Sequence, residues 1–239
     1  MLVFSLIMSM LLAVLQAGPQ TGNTASLVGA WEATMPENTK ALWIMDDDYF
    51  ARTYYKADPA EFIGTEGGKW SRQADGTLLI TWEFNTNDPG KVGTTERMPI
   101  NPRGQYLETA SASWKRLDDG TPGALRGAWL ITGRQLDGTM NTMTPGARKT
   151  MKILSGTRFQ WIAYNSETGE FGGTGGGAYT TEGDTYTEHI HFFSRDNSRV
   201  GASLSFPYEL KEGKWHHRGK SSKGDPIYEI WSSRQSLGI

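Results

Sequence analysis

The chain alternates apolar and polar residues with a period of two over much of its length, and this pattern predicts half-buried β-strands. In LLITWEFN (Leu78–Asn85), every second residue from Leu78 is apolar, whereas three of the four residues between them are polar. Turn sequences such as NDPG (Asn87–Gly90) and NPRG (Asn101–Gly104) separate these segments. No segment keeps a helical period for more than a turn or two, so the pattern predicts an all-β protein.

The same pattern occurs twice along the chain. Ala41–Trp70 aligns without a gap with Thr150–Tyr179 at an offset of 109 (150 − 41), and aligned residues include Phe50 with Phe159. Downstream the match continues with a shift of one residue. Upstream, the motif Leu-x-Gly-Ala-Trp begins at Leu27 and again at Leu125, an offset of 98 (125 − 27). A period near 100 residues is too long for a solenoid unit, so each copy is expected to be a domain.

Each copy contains enough short strands, at hairpin spacing, for an eight-stranded antiparallel barrel. We therefore predict two tandem eight-stranded up-and-down barrels, residues 24–118 and 122–235, joined by the linker DDGTPG (Asp118–Gly123). An open sandwich is the alternative. About eleven extra residues (109 − 98) enter the second copy in the loop around Gln135–Ala147.

Several motifs also resemble a known superfamily. Gly-x-Trp on the first strand, a meander of eight strands and a closing Glu-x-Trp (Glu229 and Trp231) are similar to those of the lipocalin-like or calycin superfamily. More closely, Tyr186–Leu210 and Lys214–Trp231 resemble a group of secreted lipocalin-like proteins of unassigned function, with the similarity extending over residues 124–234. This resemblance implies a barrel that holds a small molecule, and it brings no catalytic set with it.

Composition narrows the classes of function. The net charge is −2 and the sequence pI is about 6.1, which argues against a surface for nucleic acid or an anionic membrane. The chain contains no cysteine, so disulfides, thiolate catalysis and zinc–thiolate sites are excluded. No cofactor motif is evident, and we expect no cofactor. The oligomeric state stays open.

The first 17 residues are a short apolar run followed by small residues. Met1–Ala17 is too short to span a bilayer comfortably and ends as signal peptides end, although no Lys or Arg precedes the apolar run. We interpret residues 1–17 as a signal peptide, which predicts a secreted or periplasmic mature chain without a membrane span. An uncleaved membrane anchor is the alternative.

The second copy places ionisable residues where the first copy has apolar ones. Glu188 aligns with Ile80, and Glu229 aligns with Ala112, both on faces that should point inward. His217 falls on the inward face of its strand, two residues after Trp215; we align Trp215 with Tyr106 and His217 with Glu108. Burying a carboxylate costs free energy unless it is paired or protonated. Acids at these inward positions therefore indicate a buried partner or a functional role. Glu188, His217 and Glu229 are the candidate catalytic or orienting residues.

Four aromatic residues frame these three groups: Trp161, Tyr186, Trp215 and Trp231. Aromatic walls with a few polar groups are typical of a pocket for a small ligand. The sequence therefore favours a secreted protein that binds a small, partly apolar or sugar-like ligand in the second barrel. The alternative is an acid–base enzyme (a lyase, an isomerase or a glycoside-cleaving enzyme) that uses the two carboxylates and the histidine. A third class is an assembly module that docks a partner.

Two conspicuous motifs receive structural interpretations. His189 and His191 have the spacing of a metal-binding pair, but they alternate with the inward residues of their strand, so we predict no metal site there. The glycine-rich run Gly172–Gly177 lacks the Lys-Ser/Thr of a phosphate loop, and its spacing recurs in Ile63–Gly68. Recurrence in both copies favours sharp strand bends at these glycines.

Overall fold

The computed structural model describes residues 26–220 and 224–239, so the predicted signal peptide (residues 1–17) lies outside the described residues. The chain forms two antiparallel nine-stranded sheets, one from each copy of the duplicated sequence. We call residues 29–118 the first half and residues 127–233 the second half. Within the described ranges no helix is long and apolar enough to cross a bilayer.

The first sheet is curled but not closed. Its strands are β1 (Gly29–Thr34), β2 (Lys40–Met45), β3 (Tyr49–Ala57), β4 (Ala60–Arg72), β5 (Leu78–Asn85), β6 (Thr95–Met98), β7 (Asn101–Arg103), β8 (Tyr106–Glu108) and β9 (Ser113–Asp118). Their order is β6-β5-β4-β3-β2-β1-β9-β8-β7, so β6 and β7 are the two edges. Only Pro99 and Ile100 separate these edges along the chain.

The second sheet closes into a barrel. Its strands are β10 (Gly127–Leu136), β11 (Thr139–Thr142), β12 (Arg148–Leu154), β13 (Arg158–Asn165), β14 (Phe171–Glu182), β15 (Thr185–Phe193), β16 (Ser203–Lys211), β17 (Lys214–Lys220) and β18 (Pro226–Ser233). Pairing of β18 with β10 completes eight strands, and β11 lies outside this ring as a hairpin extension of β10. Part of the expected loop around Gln135–Ala147 is therefore a β-hairpin.

The expectation of two closed barrels thus holds for the second half and not for the first, which is a curled sheet. In the second half β16 is one strand, whose beginning pairs with β15 and whose end pairs with β17. In the first half the equivalent chain is interrupted between β6 and β7, at Pro99 and Ile100. Pro99 alone does not explain the break, because the aligned Pro207 lies within the continuous β16. Pro102 on β7 stands where the second half has Leu210, and this additional proline cannot donate a ladder hydrogen bond.

Short helices complete the secondary structure of the described residues. Three 3₁₀ turns span Pro36–Asn38, Pro89–Lys91 and Asn197–Arg199, and the four-residue helix α1 spans Arg234–Leu237. The second and third 3₁₀ turns occupy equivalent places in the two halves, directly after β5 and β15. This agreement extends the sequence duplication to the connections.

The repeated glycines bend equivalent strands, as their recurrence predicts. Register shifts occur between Gly67 and Gly68 where β4 pairs with β5, and between Gly176 and Gly177 where β14 pairs with β15. A Cβ on Gly68 would lie 2.1 Å from the Thr81 carbonyl oxygen, and a Cβ on Gly177 would lie 2.1 Å from the corresponding oxygen of His189. Only glycine allows this close backbone approach at each bulge.

The two halves pack against each other through an apolar cluster to which both contribute. Phe62 and Phe171, which are aligned residues, stack with ring centroids 6.0 Å apart and planes 8° apart. Two further ring contacts flank this pair, Tyr55 with Phe192 at 5.1 Å and Phe84 with Tyr164 at 4.9 Å. The two flanking contacts are equivalent, because Tyr55 aligns with Tyr164 and Phe84 aligns with Phe192. The two halves therefore pack with the same symmetry as the subunits of a symmetric dimer.

A buried polar cluster lies within this contact. The Gln160 amide nitrogen donates to Thr65 Oγ1 at 2.9 Å and to Thr174 Oγ1 at 3.0 Å, and these two threonines are aligned residues. The Gln160 carbonyl oxygen accepts from Thr53 Oγ1 at 2.9 Å. Because these side chains bond to one another, the cluster fixes how the halves are placed without leaving unpaired polar atoms.

Candidate functional site

A cavity of about 690 Å³ opens into the second barrel. Its apolar wall includes Trp161, Ile190, Phe193, Leu204, Phe206, Ile227 and Trp231. Its polar lining includes the buried side chains of Lys152, Glu188, His217 and Glu229, together with the half-exposed Arg134. The size and the mixture of aromatic walls with a few polar groups match those of small-molecule sites.

The interior of the first half is filled instead. Trp43 contacts Phe50 and Trp114 edge-on, with ring centroids 6.1 and 5.2 Å apart, and Phe50 in turn contacts Trp82 at 5.7 Å. Trp43 and Trp114 are both fully buried. Trp43 and Trp82 align with Lys152 and Ile190 of the second half, so at these two positions a larger side chain fills space that the second half leaves open.

The most buried ionic contact of the site joins Lys152 on β12 to Glu188 on β15. Lys152 Nζ lies 2.9 Å from Glu188 Oε1, and the two side chains are 6% and 7% exposed. The Tyr186 hydroxyl donates to the same carboxylate oxygen at 2.9 Å. A buried charge is stable only when it is paired and hydrogen-bonded, and Glu188 meets both conditions.

Three aromatic rings surround the Lys152 ammonium group. Nζ lies 5.1 Å from the ring centroid of Tyr186, 4.8 Å from that of Trp215 and 5.4 Å from that of Trp231. Ring faces attract cations, and the attraction is strongest where water is excluded. These rings and Glu188 together hold a positive charge inside the barrel.

A second ionic contact involves Glu229 on β18. Arg134 on β10 donates to Glu229 Oε1 at 2.7 Å, and His217 Nδ1 lies 3.5 Å from Glu229 Oε2. Burial alone would raise the pKa of Glu229, but His217 and the positive charges of Lys152 and Arg134 outweigh it and lower this pKa to about 2. Glu229 is therefore ionised at neutral pH.

His217 on β17 is neutral and has no hydrogen-bond partner. Burial and the nearby charge of Lys152 lower its pKa, and the side chain is 3% exposed. The 3.5 Å contact between Nδ1 and Glu229 is longer than a normal hydrogen bond, and both ring nitrogens are unpaired. The ring packs on Phe206, with centroids 4.4 Å apart. The fold therefore leaves a donor and an acceptor unused at this position.

The structure brings the three candidate polar residues, Glu188, His217 and Glu229, to the same cavity. Of the four candidate aromatic residues, Trp161 and Trp231 line the cavity wall. Tyr186 and Trp215 lie beneath this wall, where they contact Lys152.

One alignment at the site was wrong by one residue. Trp215 pairs with Trp231 across β17 and β18, and in the first half Leu107 pairs with Trp114. Trp215 therefore corresponds to Leu107, which is buried, and not to Tyr106, which is 48% exposed. By the same register His217 corresponds to Thr109 and not to Glu108.

Sequence reasoning missed Lys152 and Arg134. Lys152 aligns with Trp43 at the offset of 109 (152 − 43), so the comparison that singled out Glu188 also contained its partner. The strand of Lys152 is otherwise apolar at its end, and a lysine there resembles an ordinary surface position. Arg134 lies on the extended hairpin of the second half and has no aligned residue in the first half.

The first half has an ion pair of its own at a different place. Arg52 NH2 lies 2.6 Å from Glu66 Oε1, and both residues are buried. The aligned residues of the second half are Trp161 and Gly175, and a Cβ on Gly175 would lie 2.7 Å from Trp161 Nε1. Each half therefore has one buried ion pair at positions where the other half has apolar packing.

The histidine pair lies on the other face of β15. His189 Nδ1 contacts Ser203 Oγ at 2.8 Å at the surface, and the inward residues Glu188 and Ile190 alternate with the two histidines. No cluster of three or more potential ligands that could hold a metal ion occurs among residues 26–220 and 224–239.

No protein-family model matches the chain, and no curated protein sequence shows significant similarity to it. The closed antiparallel barrel is compatible with a lipocalin-like fold.

Proposed function

We propose that this chain is a lipocalin-like protein that binds a small, partly apolar ligand in the second barrel. The observation that supports this proposal is the cavity of about 690 Å³, with aromatic walls and a buried polar lining. The interior of the first half is filled, with Trp43 and Trp82 at the positions of Lys152 and Ile190. A duplicated protein that needed only stability could have filled both interiors in the same way.

The polar groups of the cavity favour orientation of a ligand over acid–base catalysis. Glu188 already accepts hydrogen bonds from Lys152 and Tyr186, and Glu229 is ionised and bound to Arg134. Neither carboxylate is arranged as a proton donor. Aromatic contact supplies most of the binding energy in such a site, and the polar groups select the ligand and its orientation.

Secretion and membership of the calycin superfamily belong to the same proposal. Both rest on the sequence motifs described above, including the apolar segment at residues 1–17. A secreted binding protein would take up its ligand outside the cytoplasm.

Binding of the fluorescent probe N-phenyl-1-naphthylamine tests the proposal, because this uncharged aromatic amine emits strongly only in apolar surroundings. Leu204 lines the cavity, and the next residue on the strand, Ser205, is exposed. Leu204→Trp should fill the cavity and weaken binding by tenfold or more, about 1.4 kcal/mol. Ser205→Trp adds a larger side chain on the outer face and should leave binding unchanged. Equal binding to both variants would contradict the proposal.

An acid–base enzyme is the second candidate, and His217 is the observation that favours it. A neutral imidazole whose ring nitrogens make no hydrogen bond, 3.5 Å from an ionised carboxylate, has a free nitrogen that can accept a proton as a general base. A panel of 4-nitrophenyl glycosides would detect a glycoside-cleaving activity by release of 4-nitrophenol. Release that Glu229→Gln abolishes would favour this enzyme over the binding protein.

A further inference from the structure

Two residues that line the cavity have buried nitrogen atoms without hydrogen-bond partners. These atoms are the indole Nε1 of Trp231 and both ring nitrogens of His217. Trp231 is 2% exposed and His217 is 3% exposed, so water reaches neither side chain freely. A buried polar group without a partner costs about 1–3 kcal/mol, so each such group calls for an explanation. The indole nitrogens of Trp43 and Trp215 are also buried without partners, but neither residue lines the cavity.

In the first half, the corresponding indole nitrogen has a hydrogen-bond partner within the chain. Trp114 corresponds to Trp231, and Thr109 corresponds to His217. There the Trp114 indole N–H donates to the Thr109 hydroxyl at 3.2 Å. The first half therefore supplies an acceptor oxygen from its own chain, and the second half has replaced this threonine with a histidine that makes no such bond.

The ionic groups of the cavity indicate what charge the ligand brings. At the depth of His217, Lys152 is paired with Glu188 at 2.9 Å, and Arg134 is paired with Glu229 at 2.7 Å. The other charged residues of the lining are the exposed Arg195 and Asp225 and the partly exposed Arg199. His217 is neutral, because burial and Lys152 lower its pKa. An ionic group of the ligand at this depth would lose its hydration without gaining a free counter-ion, and that loss is costly.

We propose that the ligand is an uncharged aromatic or alicyclic molecule whose carbonyl or hydroxyl oxygen binds between Trp231 and His217. This inference rests on the proposed function and names the chemistry of the ligand. The ligand oxygen takes the place that Thr109 Oγ1 has in the first half: it accepts from the Trp231 indole N–H and from the N–H of the neutral His217 ring. With the other tautomer of the ring, a hydroxyl oxygen accepts from Trp231 and donates its own proton to the unprotonated nitrogen of His217.

Three naphthalene probes that share one ring system test the chemistry. The ketone 6-propionyl-2-(dimethylamino)naphthalene carries an uncharged acceptor oxygen. N,N-dimethyl-2-naphthylamine lacks this oxygen, and 6-(dimethylamino)-2-naphthoate carries an ionic one. We expect the ketone to bind the full chain about threefold to tenfold more tightly than the amine, the value of one hydrogen bond. The naphthoate should bind more weakly than the ketone.

His217→Thr introduces the residue of the first half and gives Trp231 an internal partner. It should keep the fold and remove the preference for the ketone over the amine. Thr109→His makes the opposite exchange in the filled first half and should leave all three affinities unchanged. A preference for the ketone that survives His217→Thr would overturn the proposal, and so would tightest binding of the naphthoate.

The two proposals fail in distinguishable ways. If the three probes bind equally well and Leu204→Trp weakens all of them, the cavity is a binding site but the oxygen site is wrong. If no probe binds the parent chain, both proposals are wrong.

Discussion

Inside the second barrel, the Lys152 ammonium group lies 2.9 Å from the Glu188 carboxylate, at two positions that the first half fills with Trp43 and Ile80. Both halves form equivalent strands around these positions, so these strands accommodate either an ion pair or two apolar side chains. The ionic pair is therefore not a requirement of the fold. It is a property of the half that contains the cavity.

This relationship predicts a double-mutant cycle. Glu188→Ile and Lys152→Met should each lower the free energy of unfolding by about 3–5 kcal/mol, because each leaves one buried charge unpaired. The double variant should be close to the parent or more stable, since apolar residues of similar size can replace a buried pair. Urea unfolding of the four proteins measures the effects. A double variant as unstable as the sum of the singles would show that the charges stabilise the barrel independently.

The same pair changes what is expected of Glu188→Gln. Sequence comparison with Ile80 alone predicts that this variant keeps the fold, because the amide is neutral and nearly isosteric. The contact with Lys152 adds a cost to this expectation, since Glu188→Gln removes the counter-ion of a buried ammonium group. We expect a loss of stability in the range given above, and urea unfolding with and without Lys152→Met measures it. Full stability of Glu188→Gln alone would contradict the assignment of Glu188 as the counter-ion.

A further prediction concerns pH. In the folded chain the pKa of His217 lies below its usual value of 6.5, so the unfolded chain binds more protons below about pH 6.5. The free energy of unfolding is therefore unaffected by His217 above this pH, and it decreases as the pH falls below it, because protonation then favours the unfolded chain. The free energy of unfolding of the parent should decrease more between pH 7.5 and pH 5.5 than that of His217→Thr. Parallel curves for the two proteins would show that His217 does not titrate in this way.

Arg234 joins the two halves through Glu83. NH1 and NH2 of Arg234 donate to the two Glu83 carboxylate oxygens at 2.7 and 2.8 Å, and the Tyr164 hydroxyl donates to this carboxylate at 2.6 Å. Arg234→Leu introduces the residue of the aligned position Leu117 and should cost about 3–5 kcal/mol, because Glu83 loses its partner while buried.

Arg97→Leu is the matched control, since Arg97 pairs with Asp75 at an exposed place. It should change stability by no more than about 1 kcal/mol. Chemical unfolding of both variants measures the difference. Equal effects would show that Glu83 and Arg234 contribute no more than a surface pair.

Gly177 provides a test of the strand bends. A Cβ there would lie 2.1 Å from the His189 carbonyl oxygen, so Gly177→Ala should destabilise the second barrel by about 3 kcal/mol or more. Gly146 has no atom within 4 Å of an added Cβ, and Gly146→Ala should change stability by no more than about 0.5 kcal/mol. Thermal unfolding followed by circular dichroism compares the two. A tolerated Gly177→Ala would remove the steric explanation of the glycine repeat.

The sequence by itself determined the all-β class, the duplication and the inward faces of the strands. These properties are periodic, and a period of two assigns a residue such as Glu188 to a face without knowledge of its neighbours. Comparison of the two copies then identified Glu188 and Glu229 as acids at apolar positions, because one copy serves as the reference for the other. It also placed the glycine bends, since the spacing of Gly67 and Gly68 recurs at Gly176 and Gly177.

Only the tertiary structure decided which side chains pair and which sheet closes. Lys152 and Glu188 are 36 residues apart along the chain, and their contact depends on strands β12 and β15, which are not neighbours in the sheet. The sequence could not predict the core shared by the two halves for the same reason. Apolar residues on the outer faces of β3 and β13 indicate that these faces are covered, but they do not indicate whether a ligand, a partner or the other half covers them. Register is set by bulges and turns, and a shift of one residue moved His217 from the place of Glu108 to that of Thr109.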